Sequence, residues 1–327
     1  MTWIVWRQQR PVLITLAAGL VVAAAAILLL RAGMVSDLQT RNIVDCVRDG
    51  TLQACRGEGP RAFQKSWYDL IHFAQLLVIV VPALVGLFIG APLFAREFEQ
   101  GTHVLAFTQS VSRTRWMATK FVVAALPALL FVAVLQLLVR SWVNAAGQLG
   151  PLAGGPYYFS TFDAQGVSPI AYTLFAYTLG VFVGALFRRT LVAITLTLGV
   201  FVVTRGFLST WRESTIEPVR VLSNELTDPY AGMGPGQVVK NTGFLDAKGA
   251  VVTDVNAAQA KCVPNARIEV SVEDRTACWQ QNGLARSFRE VLPFEQATTV
   301  HLLEASIFAG LAVLFVLGSV WAVRRQA

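Results

Sequence analysis

Residues Leu70–Leu93 read LIHFAQLLVIVVPALVGLFIGAPL and contain no Lys, Arg, Asp or Glu. About 20 apolar residues are enough for an α-helix to cross the hydrocarbon core of a bilayer. Inside a bilayer every backbone N–H and C=O group needs a partner, and a helix supplies these partners within one segment. The stretch therefore predicts a membrane-spanning helix and indicates an integral membrane protein.

Five further apolar runs of similar length lie on either side of this one. The six predicted spans are Pro11–Leu30, Leu70–Leu93, Phe121–Val139, Pro169–Phe187, Thr190–Trp211 and His301–Val323. The chain of 327 residues is 54% hydrophobic and 14% charged, whereas a soluble domain carries about 25% charged residues. The first run is longer than the apolar core of a signal peptide and no small-residue cleavage site follows it, so we expect it to be retained. The predicted fold class is an all-α polytopic membrane protein with six transmembrane helices.

The basic residues predict the orientation, because cytoplasmic loops carry an excess of Lys and Arg. With the N-terminus in the cytoplasm, the inside segments hold ten basic residues and two acidic ones, Glu97 and Glu99. The ten are Arg7, Arg10, Arg96, Arg113, Arg115, Lys120, Arg188, Arg189, Arg324 and Arg325. The net charge of +7 is therefore a sign of topology. We expect both termini in the cytoplasm and no nucleic-acid partner.

Outside the spans, the chain divides into short tails and one large loop. The predicted parts are an interfacial helix at 1–10, five spans within 11–211, an extracellular cap at 212–300, the sixth span at 301–323 and a cytoplasmic tail at 324–327. Alternating stretches at Ala250–Val255 and Arg267–Val272 are typical of short strands. Asp246-Ala247-Lys248-Gly249 is typical of a hairpin turn. We expect a small α/β cap before the last helix.

The four cysteines fall only in segments that are predicted to lie outside. Cys46 and Cys55 are in the first outside loop, and Cys262 and Cys278 are in the cap. An oxidising compartment permits disulfides, so we predict one pair within each loop. Sequence alone does not fix the connectivity, and free thiols or a cross-loop pairing remain as alternatives.

The segment Ala95–Lys120, AREFEQGTHVLAFTQSVSRTRWMATK, joins the second and third spans on the cytoplasmic side. It is about one short helix longer than a simple connection needs. Apolar residues such as Leu105 and Phe107 alternate with polar ones, which is typical of a segment that docks one face on another protein. We expect a cytoplasmic partner there.

Sequence patterns for catalysis are missing from the chain. It has no G-x-x-x-x-G-K-[ST] phosphate loop, no H-E-x-x-H, no Cys/His zinc spacing and no G-x-S-x-G. We therefore expect no enzyme activity, and no cofactor or metal bound by this chain.

The stretch Gly86–Lys120, GLFIGAPLFAREFEQGTHVLAFTQSVSRTRWMATK, resembles the segment after the second membrane helix in permeases of type-2 ATP-binding-cassette (ABC) exporters, and most of all their actinobacterial branch. The six-helix layout agrees with that family. The resemblance implies a transmembrane subunit in a bacterial plasma membrane that exports an amphiphilic drug, antibiotic, peptide or lipid. It implies a second permease subunit, identical or different, and a separate cytoplasmic ATPase that binds ATP and Mg.

The same resemblance implies that Ala95–Lys120 is a coupling segment that docks on the ATPase. Its predicted coupling residues are Arg96, Glu97, Glu99, Gly101, Leu105, Phe107, Arg113 and Arg115. In this interpretation the two glutamates face basic residues of the ATPase, and Leu105 with Phe107 forms an apolar anchor. Gly101 permits the change of direction after the second span.

Three questions stay open in the sequence. Arg205 falls inside a predicted span, so we predict an intramembrane ion pair between Arg205 and Glu304. The small-residue pairs Gly86/Gly90 and Gly180/Gly184 allow close helix contact, either within one subunit or between two. The alternative function is an ATP-independent membrane protein, either a secondary transporter or a sensor.

Overall fold

The computed structural model describes residues 2–48, 55, 57–101, 113–226, 228, 230, 233–234, 236–262 and 271–325. The helices are α1 (Thr2–Thr40), α2 (Val44–Arg48), α3 (Glu58–Val85), α4 (Pro92–Glu99), α5 (Arg113–Ala146), α6 (Phe159–Ala164), α7 (Ser168–Phe187), α8 (Thr190–Thr215), α9 (Val255–Ala260), α10 (Val272–Gln281) and α11 (Gln296–Arg324). The strands are β1 (Val219–Ser223), β2 (Val239–Leu245) and β3 (Arg286–Val291). The chain forms two compact units, Met1–Glu213 with Thr298–Ala327 and Ser214–Ala297.

Six helical stretches within the described residues are long and apolar enough to cross a membrane. They are Gln9–Thr40, Glu58–Glu99, Arg115–Leu149, Ser168–Phe187, Thr190–Arg212 and Gln296–Arg324. This confirms the predicted all-α polytopic fold. Of these stretches, the one formed by α7 is the most buried and the one in α1 the least, so α7 lies at the centre of the bundle while α1 has the largest surface for lipid.

Helix α1 is longer at both ends than hydropathy predicts. The proposed interfacial helix at 1–10 is continuous with the first span, because α1 passes through Pro11 without a break. The same helix extends ten residues past Leu30, the predicted end of that span. Beyond Leu30 the physical reason is that helix formation continues into polar sequence where no proline intervenes.

The second span contains a π-helical segment at Gly86–Gly90, which joins α3 to α4. Its Ala91 amide donates to the Gly86 carbonyl over 2.8 Å, a five-residue step. This segment packs directly on α7. A Cβ atom on Gly86 would lie 2.7 Å from the Ala176 carbonyl oxygen, and one on Gly180 would lie 2.7 Å from the Ala91 nitrogen. Both small-residue pairs thus serve a contact inside one subunit, which answers the question that the sequence left open.

The helices α7 and α8 form a tight hairpin. The chain reverses at Arg188, whose backbone has the left-handed φ of 57° and whose amide donates to the Gly184 carbonyl over 3.1 Å. Helix α8 begins two residues later, at Thr190. The start of α8 is therefore held close to the end of α7.

The second unit is a small α/β structure. Its antiparallel sheet has the order β1-β3-β2, and Phe244 and Trp279 meet edge to face in its core, with ring centroids 6.1 Å apart. The predicted turn at Asp246–Gly249 is present, since the Gly249 amide donates to the Asp246 carbonyl. The predicted strand at Ala250–Val255 is reduced to one bridge at Val251, because α9 starts at Val255. Most of the other predicted strand, Arg267–Val272, lies outside the described residues.

Each cysteine is bonded to the nearer cysteine along the chain. Cys46 joins Cys55 in the first unit, and Cys262 joins Cys278 in the second. The second disulfide connects the end of α9 with α10 across the unit's core.

Candidate functional site

The first candidate site lies where the second span ends and the third begins. Glu97 on α4 and Lys120 on α5 form an ion pair, and the Lys120 side chain is 4% exposed. The rings of Phe94 and Trp116 pack beside it, with centroids 5.4 Å apart, and the Lys120 nitrogen lies 5.0 Å from the Trp116 centroid. These contacts fix the spacing of the two helices at the ends of the predicted coupling segment.

Glu99 connects this region to the α7–α8 hairpin. Its carboxylate accepts a hydrogen bond from the Thr190 amide at 3.1 Å and one from the Thr190 hydroxyl at 2.8 Å. The first N–H groups of a helix have no partner within the helix, and a negative charge there is favourable. Glu99 therefore caps α8 and fastens α4 to it.

Both glutamates thus have a partner inside the chain that the sequence did not indicate. Folding brings Lys120 and Thr190, distant in sequence, to the end of α4. The predicted contact of Glu97 and Glu99 with basic residues of an ATPase stays a prediction, and Glu99 is exposed.

The other predicted coupling residues are placed in part. Arg96 and Arg115 are exposed. Gly101 has a φ of +69°, which favours glycine and ends α4. Arg113 is the first residue of α5. Leu105 and Phe107 lie outside the described residues.

The second candidate site is a group of four charged side chains, which we call the charge cluster: Asp163 on α6, Arg205 and Arg212 on α8, and Glu304 on α11. Arg205 Nη2 lies 2.8 Å from Asp163 Oδ2, and Arg205 Nη1 lies 3.7 Å from Glu304 Oε1. Arg212 Nη1 lies 3.0 Å from Asp163 Oδ1 and 3.1 Å from Glu304 Oε2. Two positive and two negative charges balance, as burial of ions requires.

Aromatic and hydroxyl groups complete the charge cluster. The Tyr172 hydroxyl donates to Glu304 over 2.8 Å, and the Arg205 guanidinium lies 3.5 Å from the Tyr172 ring centroid. Next to them, His301 stacks on Phe162 with centroids 3.7 Å apart. These contacts join α6, α7, α8 and α11 at one end of the bundle.

The structure thus brings the predicted pair Arg205 and Glu304 into one cluster, with two members that sequence reasoning missed. Asp163 was assigned to a loop, and Arg212 to the start of the cap. One signal was available for Arg212: a seven-residue step from Arg205 is about two helical turns and puts both on one face. No local signal identifies Asp163.

In the part of the chain that the structure describes, no three His, Cys, Asp or Glu side chains are grouped to hold a metal ion.

The family comparison agrees with the helical architecture. A family model described as ABC-2 membrane transporter related matches residues 17–212, which is more than half of the chain and runs from α1 to Arg212 on α8. The chain belongs to the ABC-2 membrane transporter related family. Neither a curated protein nor a solved structure matches it.

As a member of the ABC-2 family, the chain is a multi-pass transmembrane subunit of an ABC transporter. The family partners with an ABC ATPase subunit, and the membrane subunit is not itself the catalytic one. The matched range includes the Glu97–Lys120 and Glu99–Thr190 contacts and three members of the charge cluster. Glu304 lies beyond it.

Proposed function

We propose that this chain is the permease of an ABC exporter in a bacterial plasma membrane. ATP and Mg bind to a separate cytoplasmic ATPase, and two permease subunits form one pathway for an amphiphilic drug, antibiotic, peptide or lipid. The observation that carries the proposal is that both ends of the coupling segment are held: Glu97 near its start pairs with Lys120 at its end, and Glu99 caps α8. A segment attached in this way transmits a push from an ATPase to the membrane helices.

Helix α8 connects the coupling segment mechanically to the charge cluster. It is continuous from Thr190 to Thr215, so Arg205 lies about 23 Å along its axis from Thr190 at a rise of about 1.5 Å per residue. One end of α8 is capped by Glu99, and the other end carries both arginines of the charge cluster. Displacement of α4 therefore moves the arginines relative to Glu304 on α11. Two arrangements of the charge cluster would correspond to the inward-facing and outward-facing states.

An amphiphilic cargo fits the charges of the bundle. The charge cluster is neutral as a whole, and much of the surface of α1, α5 and α8 is apolar and exposed. The described spans therefore offer a cargo apolar contacts and polar groups. They offer no strong net charge in the charge cluster.

The test is co-purification from a mild detergent of the tagged wild type beside Phe107→Ala. Phe107 is the predicted apolar anchor, and truncation of an aromatic hot spot costs about 2 kcal/mol or more, or about 30-fold in affinity. We expect an ATPase with the wild type and much less with the variant. Phe294→Ala, which truncates an exposed phenylalanine of the second unit, is the matched control and should retain the ATPase.

The outcomes separate the possibilities. An ATPase retained equally by both variants would place the dock elsewhere on the permease. No ATPase in any sample of well-folded protein would favour the ATP-independent alternative.

A further inference from the structure

A cleft lies between the first three membrane helices at the end where the coupling segment begins. Its volume is about 420 Å³, within the range of about 300–1,000 Å³ for ligand pockets. Residues of α1, of the π-helical segment with α4, and of α5 form its walls. No part of the charge cluster lines it. Its lining includes the Glu97–Lys120 pair of the coupling segment, but the proposed function places no ligand there.

The walls of this cleft are divided along the helix axis. On the second span, Phe88 and Leu93 line the deeper part, while Arg96 and Gln100 line the part near the helix end. Helix α1 has the same order, with Gln9 near its start and Val12 one turn deeper. The residues of both helices thus make the deeper half of the cleft apolar and the half near the helix ends polar.

The polar half carries an excess of positive charge. Lys120 is neutralised by Glu97. Arg96 is exposed, and no acidic side chain among the described residues forms an ion pair with it. A guanidinium presents paired N–H donors that match the oxygens of a phosphate.

The apolar half of the cleft opens towards the lipid around the helices. Phe88 is 65% exposed although it lies within a membrane span, so a molecule in the cleft continues over this ring into lipid. Leu93 and Ile89, which also line the cleft, are buried. An occupant therefore has a compact anionic group at the helix ends and an apolar chain along Phe88.

We propose that this cleft binds an anionic phospholipid from the leaflet at the same end of the bundle, with its phosphate on Arg96 and the start of an acyl chain on Phe88. The lipid lies against both α4 and α5, next to the Glu97–Lys120 pair. The proposal is independent of ATP coupling, and it adds a lipid site to the permease.

The test is native mass spectrometry of the purified membrane subunit titrated with phosphatidylglycerol or phosphatidylcholine of identical acyl chains. The wild type is expected to bind phosphatidylglycerol more tightly. Arg96→Gln should weaken phosphatidylglycerol binding about five-fold, the effect of one basic residue at a membrane surface, and weaken phosphatidylcholine binding less, because the choline cation offsets the phosphate charge. Gln100→Glu, which adds a negative charge to the polar half, should act in the same direction.

The control is Arg140→Gln, which removes an exposed arginine near the other end of α5 and should leave phosphatidylglycerol binding as in the wild type. Equal affinity for both lipids in the wild type, or an unchanged affinity in Arg96→Gln, would refute the site. Excess glycerol 3-phosphate tests the role of the acyl chain. Full displacement of the lipid by it would mean a soluble phosphate site and would overturn the proposal.

Discussion

Asp163 holds the charge cluster together, because its carboxylate contacts both Arg205 and Arg212 and its side chain is fully buried. Glu304 contacts the same two arginines, but its oxygen lies 3.7 Å from Arg205, against 2.8 Å for that of Asp163. Removal of one member of a buried pair leaves a charge without compensation, which costs about 3–5 kcal/mol. The pair predicted from sequence, Arg205 with Glu304, is therefore the weaker contact of Arg205.

We expect Asp163→Asn to lower the free energy of unfolding in mixed micelles by about 3–5 kcal/mol. In double-mutant cycles, Arg205→Gln with Asp163→Asn should give a larger coupling energy than Arg205→Gln with Glu304→Gln, because the first two side chains are closer. Equal coupling energies in the two cycles would contradict the geometry described above.

Sequence reasoning found part of this cluster for a physical reason. Arg205 stands out because a charge within an apolar span is costly and needs a partner. Asp163 does not stand out, since it lies in a polar connection where carboxylates are common. Its proximity to Arg205, 42 residues later, depends on how α6 packs against α8. The intrachain contacts of Glu97 and Glu99 were missed in the same way, because the partners come from other helices.

Among the helices, the π-helical segment and α7 bring their backbones close together at several glycines. Gly180 faces the Gly86 carbonyl and the Ala91 amide, so a methyl group there meets backbone that cannot yield. Gly199 on α8 has open space around the position of a Cβ atom. The two positions form a matched pair, since both are glycines inside membrane helices.

Gly180→Ala is expected to lower the free energy of unfolding by about 1–3 kcal/mol, the cost of overpacking. Gly199→Ala should be neutral or slightly stabilising, because alanine favours a helix. Thermal unfolding in detergent measures both. A similar melting temperature for the two variants would show that the π-helical segment and α7 do not pack as closely as described.

The position of the spans was predictable, and their ends were not. An apolar run of about 20 residues has few alternatives in a bilayer. The ends depend on local hydrogen bonding instead: α4 continues past Leu93 to Glu99, where Gly101 stops it. Hydropathy does not detect such a stop.

For the whole molecule, the charge distribution predicts which side of the membrane each loop faces. All four cysteines are in disulfides, so a cysteine introduced at Gln100 or Lys248 provides a single free thiol. In intact cells a membrane-impermeant thiol reagent should label Lys248→Cys, and it should label Gln100→Cys only after permeabilisation. The reverse pattern would invert the topology and, with it, the proposed docking of a cytoplasmic ATPase.

The π-helical segment has a further consequence for the second span. It accommodates one residue more than an α-helix of the same length, and each residue of an α-helix advances the direction of its side chain by about 100°. All residues after Gly90 are therefore turned by about this angle relative to an uninterrupted helix. The π-helical segment thus lets the glycines point towards α7 while Glu97 and Glu99 point towards Lys120 and Thr190. A chain that lost one residue here would keep its hydrophobic length, but Glu97 and Glu99 would rotate away from their partners by a quarter of a turn.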